Sequence, residues 1–240
     1  MSIKSTQAMV LAAGLGTRMA PLTDETPKPL INVAGKALID YALDRFADAG
    51  VTEAVVNVHY LAEQVERHVA GRAAPAITIS DEREALLETG GGLKKARPFF
   101  GSAPVFCTNT DAILIAEDGA DPCALLQQSW ADDAMDALLL LAPIKRASGY
   151  DGGGDFSRHD DGRIAFRDGP SAPYVFTGLQ LITPRLVDEG PDGAFSTKLL
   201  WDLAASKGRL FGAVHTGDWL HVGDPEGLAI AERRLAERGP

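Results

Sequence analysis

The stretch "VLAAGLGTRMAPLTDETPKPL", residues 10–30, begins as a buried strand and runs directly into two glycines, an arginine and three prolines. A connection that served topology alone would be shorter, since strand-to-helix loops in α/β units span about 2–6 residues. Gly14 and Gly16 fall just past the strand "QAMVLAA", where the chain must turn sharply and successive backbone N–H groups can be aimed at an anion. Arg18 brings a planar, permanently charged fork suited to phosphate oxygens. Lys28 stands between Pro27 and Pro29, whose rings stiffen the backbone and hold the ammonium at a defined place. The stretch therefore reads as a first strand followed by a rigid, cationic phosphate-binding loop. It is not the dinucleotide fingerprint, because "GLGTRM" lacks the third glycine and leads into a proline-rich loop instead of a helix. It is not a P-loop either, having no GK[ST] at the required spacing.

Outward from this stretch, strand-like and helix-like runs alternate. "KALIDYALDRFADAG" puts Leu38, Ala42 and Phe46 on one helical stripe and stops at Gly50. Then follow a strand "EAVVNVH", a helix "LAEQVERHVAG", a strand "AITIS", a helix start "ETGGGLKKA", a strand "PVFCTNTD", a helix "PCALLQQSW" and a strand "DALLLLAP". The alternation predicts an α/β fold: a doubly wound, mostly parallel Rossmann-like sheet covered by helices on both faces. Past Pro143 the chain turns polar and glycine-rich, with short strand candidates at 163–166 and 174–182. This part is expected as a small antiparallel, loop-rich subregion laid over the strand ends. Helices at 196–207 and 225–238 flank a strand in "GRLFGAVHT". There is no internal repeat.

The 240 residues carry a net charge of −10, which excludes a non-specific nucleic-acid binder. The charge is uneven: residues 1–40 hold four cations against three carboxylates, net +1, leaving −11 on the remainder. Cations concentrated at the opening loop of an acidic chain suit a small anionic ligand. No apolar run approaches the roughly 20 residues of a membrane span, so no membrane association is expected. The apolar patch at 8–13 is cut short by Gly14 and Gly16, too early for a secretory signal, which points to the cytoplasm. Cys107 and Cys123 show no metal spacing and read as reduced, buried thiols. The sequence offers no handle on oligomeric state.

"LAAGLGTRMAPLTDETPKPL" resembles the signature of the sugar-1-phosphate nucleotidylyltransferases, L-A-A-G-x-G-T-R-x-x-P-L-T-x-x-x-P-K-P, over some twenty positions. The resemblance implies that Leu11, Ala12, Ala13, Gly14, Gly16 and Thr17 wrap a nucleoside triphosphate while Arg18 and Lys28 act on its phosphates. Asp111, just past the strand in "VFCTNTD", lies where open α/β sheets place ligands. By the same resemblance it is the ligand of a catalytic Mg2+, with Asn109 beside it. "LLETGGGLKKA" is similar to the family's G-T-A-G segment, which makes Glu88, Thr89, Gly90 and Gly91 candidates for contact with base and ribose. "GDF" at 154–156 and "FTG" at 176–178 resemble sugar-side segments, giving Asp155, Phe176, Thr177 and Gly178.

One segment departs from the family pattern. Where the family reads W-x-D-x-G-T-P with a second metal-binding aspartate, this chain has "WLHVGDP", so His221 takes the aspartate's place and Asp224 that of the threonine. Imidazole matches Mg2+ poorly, and His221, Asp224 and water are all open as the group completing the metal site. The resemblance implies a single domain over 1–240, nucleotide-binding at 1–142 and mainly sugar-binding at 143–240. It implies Mg2+-dependent transfer of UMP from UTP to a sugar 1-phosphate by in-line displacement, which needs no general base. Likeness to the family's short uridylyltransferases makes N-acetylmuramate 1-phosphate, from cell-wall recycling, the expected acceptor. Guanylyltransferases acting on mannose 1-phosphate and cytidylyltransferases acting on phosphocholine share the same loop, and a catalytically silent nucleotide-binding subunit is the alternative of another class.

Overall fold

The computed structural model describes residues 3–117, 119 and 121–238. In chain order the strands are β1 (Gln7–Leu11), β2 (Asn32–Val33), β3 (Lys36–Ala37), β4 (Glu53–Val58), β5 (Ala76–Asp81), β6 (Val105–Asn109) and β7 (Ala112–Ile115). They continue as β8 (Ala137–Pro143), β9 (Ala147–Ser148), β10 (Phe156–Arg158), β11 (Ile164–Phe166), β12 (Tyr174–Ile182), β13 (Leu210–Val214) and β14 (Asp218–His221). The helices are α1 (Leu38–Asp48), α2 (Ala62–Val69), α3 (Glu88–Ala96), α4 (Pro122–Ser129), α5 (Pro184–Asp188), α6 (Lys198–Ser206) and α7 (Pro225–Ala236).

A nine-stranded sheet forms the centre. Strands β5, β4, β1 and β6 lie side by side and parallel, as crossover helices require. Strand β12 pairs antiparallel with both β6 and β8, and β13 then pairs parallel with β8. The direction of β8 and β13 is thus that of β1. The expected architecture holds, but the strands expected over the sheet's ends join the main sheet: residues 174–182 lie within it, and β10 and β11 extend its edge beyond β12. Partner choice explains this. "YVFTGLQLI" is nearly all buried, and a strand this apolar gains most where both of its faces are covered.

Side-chain alternation divides the core into two layers. On β8, Leu138, Leu140 and Ala142 join the layer that holds Phe46 of α1, Val65 of α2 and Leu126 of α4. The intervening Ala137, Leu139 and Leu141 join the opposite layer with Leu93 of α3, Leu186 of α5 and Leu200 of α6. A one-residue slip would exchange every one of these side chains, so burial on both faces sets the register. A third, smaller cluster lies under the opening loop, where Met19, Ile31 and Val33 pack with Ile113, Leu220, Val222 and Ala231. It is built on a minor sheet of order β7-β14-β9, which the sequence reading did not include. No helix among the described residues is long and apolar enough to cross a membrane.

Cys107 and Cys123 are buried free thiols, and burial pushes the Cys107 thiol up to about 12. A thiol kept protonated and out of solvent does not attack. Neither cysteine should therefore react with an aromatic disulfide reagent in the native protein within minutes, whereas both should be titrated in full once the chain is denatured.

Candidate active site

The opening loop is held by glycine geometry and a dense set of short bonds. Gly16 sits at φ +67°, and a Cβ there would stand 2.9 Å from Lys28 Cβ and 3.0 Å from Thr23 Cγ2. A side chain would thus be strained by conformation and by space together. Thr23 Oγ1 donates to the Gly16 carbonyl at 3.0 Å, and Met19 N–H to the same carbonyl at 2.8 Å. Tyr60 Oη donates to the Thr23 carbonyl and Gln64 Nε2 to that of Glu25, tying the loop to the β4–α2 region. Residues 28–30 make one 3-10 turn, and Met19 is buried in the third core cluster. That single anchor is worth about 1.5–3 kcal/mol.

Lys28 and Asp111, 83 residues apart in sequence, meet at 3.1 Å between Nζ and Oδ2. Burial pushes the Asp111 carboxyl up, but Lys28, His221 and Arg18 together hold it below the ordinary carboxylate range. It is ionised at neutral pH. Around this pair opens a cleft of about 420 Å³ lined by Leu11, Ala13, Gly14, Gly16, Thr17, Arg18, Asn109 and the Glu88–Thr89 end of α3, among others. A Cβ on Gly14 would meet nothing within 4 Å, so this edge of the cleft is free for a ligand to approach the backbone. Glu88 is held at φ 58° in the left-handed region, a conformation that costs a non-glycine residue about 1–3 kcal/mol and clusters at functional sites.

Several candidate residues are committed to bonds and packing within the protein. Ala12 is buried, its N–H donating to Asn57 Oδ1 at 2.7 Å. Gly90 and Gly91 face away from the cleft, both N–H groups donating to the Phe195 carbonyl at 2.8 and 3.0 Å. A Cβ on Gly90 would run into the Phe195 ring, and one on Gly91 into the Gly193 carbonyl. These glycines let α3 pack on the 193–195 loop, and neither is among the residues lining the cleft. The Thr89 hydroxyl accepts from Thr197 N–H at 2.9 Å. Thr177 is buried, donating to the Leu140 carbonyl at 3.0 Å, so its hydroxyl is committed to the sheet.

Nor do Asp111, His221 and Asp224 converge as a ligand set. Asp224 caps α7, its Oδ1 accepting from Gly227 N–H at 2.8 Å. His221 stacks on Trp219 with ring centroids 5.3 Å apart, and its buried Nδ1 has no partner. Burial lowers the His221 pKa against the pull of Asp111, with Lys28 and Arg18 lowering it further, so the ring is neutral at pH 7. A Cβ on Gly223 would collide with His221 Nε2 and stand 3.3 Å from Arg18 Nη1. The glycine thus makes room for the imidazole and the guanidinium to come together. Among the described residues no three His, Cys, Asp or Glu side chains gather to hold a metal ion. The donor set, one ionised carboxylate open to a cationic cleft, fits a divalent cation that takes the rest of its shell from phosphates and water.

Some cleft residues escaped the sequence reading. Asn57 sits at the carboxyl end of β4, holding Ala12 N–H with Oδ1 and donating to the fully buried Glu82 at 2.8 Å with Nδ2. Burial pushes the Glu82 carboxyl up while Asn57 and Leu87 N–H pull it down. Leu15 and Leu86, 43% and 36% exposed, give the cleft mouth two apolar surfaces. A polar residue inside the apolar run "EAVVNVH" was the available signal for Asn57; Leu15 and Leu86 carried none.

On the sugar-side segments, Asp155 Oδ2 accepts from Phe176 N–H at 2.9 Å. Asp155 and Phe176 line a second recess, of about 390 Å³. Strand β12 bulges between Phe176 and Gln180. Gly178, at φ 93°, brings the bulge against Asn109 of the first cleft. Strand β12 thus lines the second recess with Phe176 and packs on Asn109, a lining residue of the first, through Gly178.

A cationic loop after the first strand, facing a carboxylate at the carboxyl edge of a doubly wound sheet, defines a nucleotide-handling transferase. The model of the nucleotidyl transferase family matches residues 7–164. The chain belongs to that family. It is 48% identical over 96% of its length to a Caulobacter vibrioides protein described as N-acetylmuramate alpha-1-phosphate uridylyltransferase, covering 97% of that protein. A Neisseria meningitidis protein of the same description is 35% identical over 90% of this chain and 93% of its own. In solved structures the fold is similar to UDP-glucose pyrophosphorylase complexed with UDP-glucose, with TM-score 0.79 at 15% identity over 98% of this chain and 99% of that one. It is also similar to the inositol-1-phosphate CTP transferase of T. maritima, with TM-score 0.78 at 16% identity over 97% of both.

A Cβ on Gly92 would stand 2.8 Å from both Asn57 Nδ2 and Glu82 Oε1, forcing their hydrogen bond apart. Gly92→Ala should destabilise the fold by about 1–3 kcal/mol in urea titration and weaken nucleoside triphosphate binding by calorimetry.

Proposed function

We propose that this protein transfers UMP from UTP to N-acetylmuramate 1-phosphate, releasing pyrophosphate and forming a UDP-sugar. The observation that carries the reading is the Lys28–Asp111 pair at 3.1 Å inside the cleft that also takes in Arg18. Its closeness in sequence to the Caulobacter vibrioides relative supports the choice of base and sugar. The attacking group is a phosphate oxygen of the sugar 1-phosphate, already ionised at neutral pH. It forms a new O–P bond at the α-phosphorus while the bond to the bridging oxygen breaks, and pyrophosphate departs with that electron pair. No proton has to move, so the site works by positioning and by neutralising charge.

Within this reading Lys28 holds the α-phosphate and the acceptor's phosphate, and Arg18 stabilises the departing pyrophosphate. Gly14, Gly16 and Thr17 line the backbone edge along the triphosphate, while Leu15 and Leu86 flank the base. Asp111 would hold Mg2+, which when bound supplies Lewis-acid withdrawal of charge from phosphate oxygens. His221, neutral and packed on Trp219, supports the wall beside Arg18. Residues of the first 142 serve mainly the nucleotide, and Asp155, Phe176 and Gly178 serve the sugar. The two free, buried cysteines suit a reducing compartment such as the cytoplasm.

The test is pyrophosphate release with UTP, Mg2+ and N-acetylmuramate 1-phosphate, run beside the other three nucleoside triphosphates. UTP should give the highest kcat/KM. Lys28→Ala and Asp111→Ala should each lower kcat/KM by about 10²–10³-fold and leave the melting temperature within about 5 °C. Near-normal rates in both variants, or nucleotide binding without turnover of any sugar phosphate, would refute the reading.

A further inference from the structure

The second recess carries chemistry that the phosphate-binding cleft does not need. Its wall is aromatic: the Phe176 ring meets Trp201 edge-on at 4.8 Å between centroids, and Phe156 packs on Phe166 at 5.0 Å. Two cations, Arg167 and Lys198, line it against one carboxylate, Asp155, in a chain whose net charge is −10. The two cations differ. Lys198 is already answered, with Nζ 2.8 Å from Asp202 and 4.3 Å from the centre of the Phe166 ring. The Arg167 guanidinium reaches only the Pro170 carbonyl, at 3.4 Å, and enters no ion pair among the described residues.

Arg167 is exposed, and its guanidinium lies against the backbone at Gly153. Arg167 N–H donates to the Asp155 carbonyl at 2.7 Å, and Ala172 N–H to the Gly153 carbonyl at 2.7 Å. A Cβ on Gly153 would stand 2.5 Å from Arg167 Nη1, so the glycine leaves the space that the guanidinium fills. Asp155 does not neutralise it: Oδ2 accepts the Phe176 N–H. A planar, solvent-open fork beside an aromatic wall, with no ion-pair partner among the described residues, has the geometry to receive a carboxylate on a ligand. Gly178 of the β12 bulge packs on Asn109 of the first cleft, and Phe176 of the same strand lines this recess, so a sugar whose phosphate lies near Lys28 would pass Gly178 to meet Arg167.

We infer that the recess selects a carboxylate-bearing acceptor sugar and that Arg167 is the residue that binds the carboxylate. The inference rests on the uridylyl-transfer reading above and deepens it, since N-acetylmuramate carries a lactyl ether ending in a carboxylate. The neutral sugar that lacks this ether is N-acetylglucosamine. The aromatic wall takes the sugar's apolar edge and the lactyl methyl, and Asp155 accepts a hydrogen bond from a hydroxyl or the amide N–H.

The two acceptors, N-acetylmuramate 1-phosphate and N-acetylglucosamine 1-phosphate, are compared by calorimetry with a non-hydrolysable UTP analogue present. The wild type should prefer the acid. Arg167→Gln should reduce that preference by about ten- to a hundredfold, the size of one lost charge-assisted hydrogen-bond pair, and Arg167→Lys should keep part of it. An Arg167→Gln protein that retains the preference, or that weakens both acceptors alike, overturns the assignment of Arg167. In that case wild-type turnover of N-acetylmuramate 1-phosphate with UTP would leave the transfer reading standing. A wild type that shows neither turnover of the acid nor preference for it overturns both.

Discussion

The contact on which the cleft depends is the ion pair between Lys28 and Asp111. It joins the loop that follows the first strand to the tip of β6, and each partner is pre-set by its own surroundings. Pro27 and Pro29 fix the backbone on either side of the lysine, while the Asp111 carbonyl receives Val222 N–H at 2.8 Å from the segment after β14. Desolvation alone would favour a neutral aspartic acid. Three nearby basic side chains, Lys28, His221 and Arg18, reverse that preference. The pair keeps a cation and an anion charged side by side, each available to exchange its partner for one of the opposite sign on an incoming ligand. A phosphate competes for Lys28, and whatever cation accompanies the phosphate competes for Asp111.

What the sequence disclosed follows from the range of the forces involved. Proline and glycine act on their own φ angles and on immediate neighbours, so residues 10–30 could be read as a stiff loop without knowing what lay opposite. The strands β1, β4, β6 and β8 were legible because burial on both faces leaves unbroken apolar runs. The insertion of β12 between β6 and β8 was not, because "YVFTGLQLI" is equally suited to several neighbours and the choice among them is made by distant residues. The minor sheet of β7, β9 and β14 was hidden for a related reason: these pieces are short, and their pairing is justified only by the cluster around Met19 and Val222 that they cover.

At the site, residues whose chemistry is particular to one task were the easier ones to recognise. Arg18, Lys28 and Asp111 line one cleft, with Lys28 and Asp111 in contact. Glycines are harder to read, because absence of a side chain leaves open space at Gly14 and allows tight internal packing at Gly90 and Gly91, and the letter is the same. Asn57 was passed over as an isolated polar residue in an apolar strand and Glu82 as one of four consecutive charges at 81–84, and only the fold reveals that they bond to each other and through Asn57 to the backbone of Ala12. The segment "WLHVGDP" was legible as a departure from its family, but what replaced the missing aspartate was not. Asp224 went to capping a helix, and the imidazole of His221 to a stack on Trp219.

Trp219 itself is tied to the main sheet: its Nε1 donates to the Thr177 carbonyl at 3.0 Å, while four residues later Gly223 stands beside Arg18. The wall of the nucleotide cleft is thus completed by a strand made some two hundred residues after the loop it encloses. Chains emerge and begin to fold from the amino end, so a nascent polypeptide possesses the cationic loop and its aspartate well before it possesses this wall. The closed outline of the cleft is in that sense an acquired trait, absent from the growing chain and complete only after the strand of Trp219 has been synthesised and has docked.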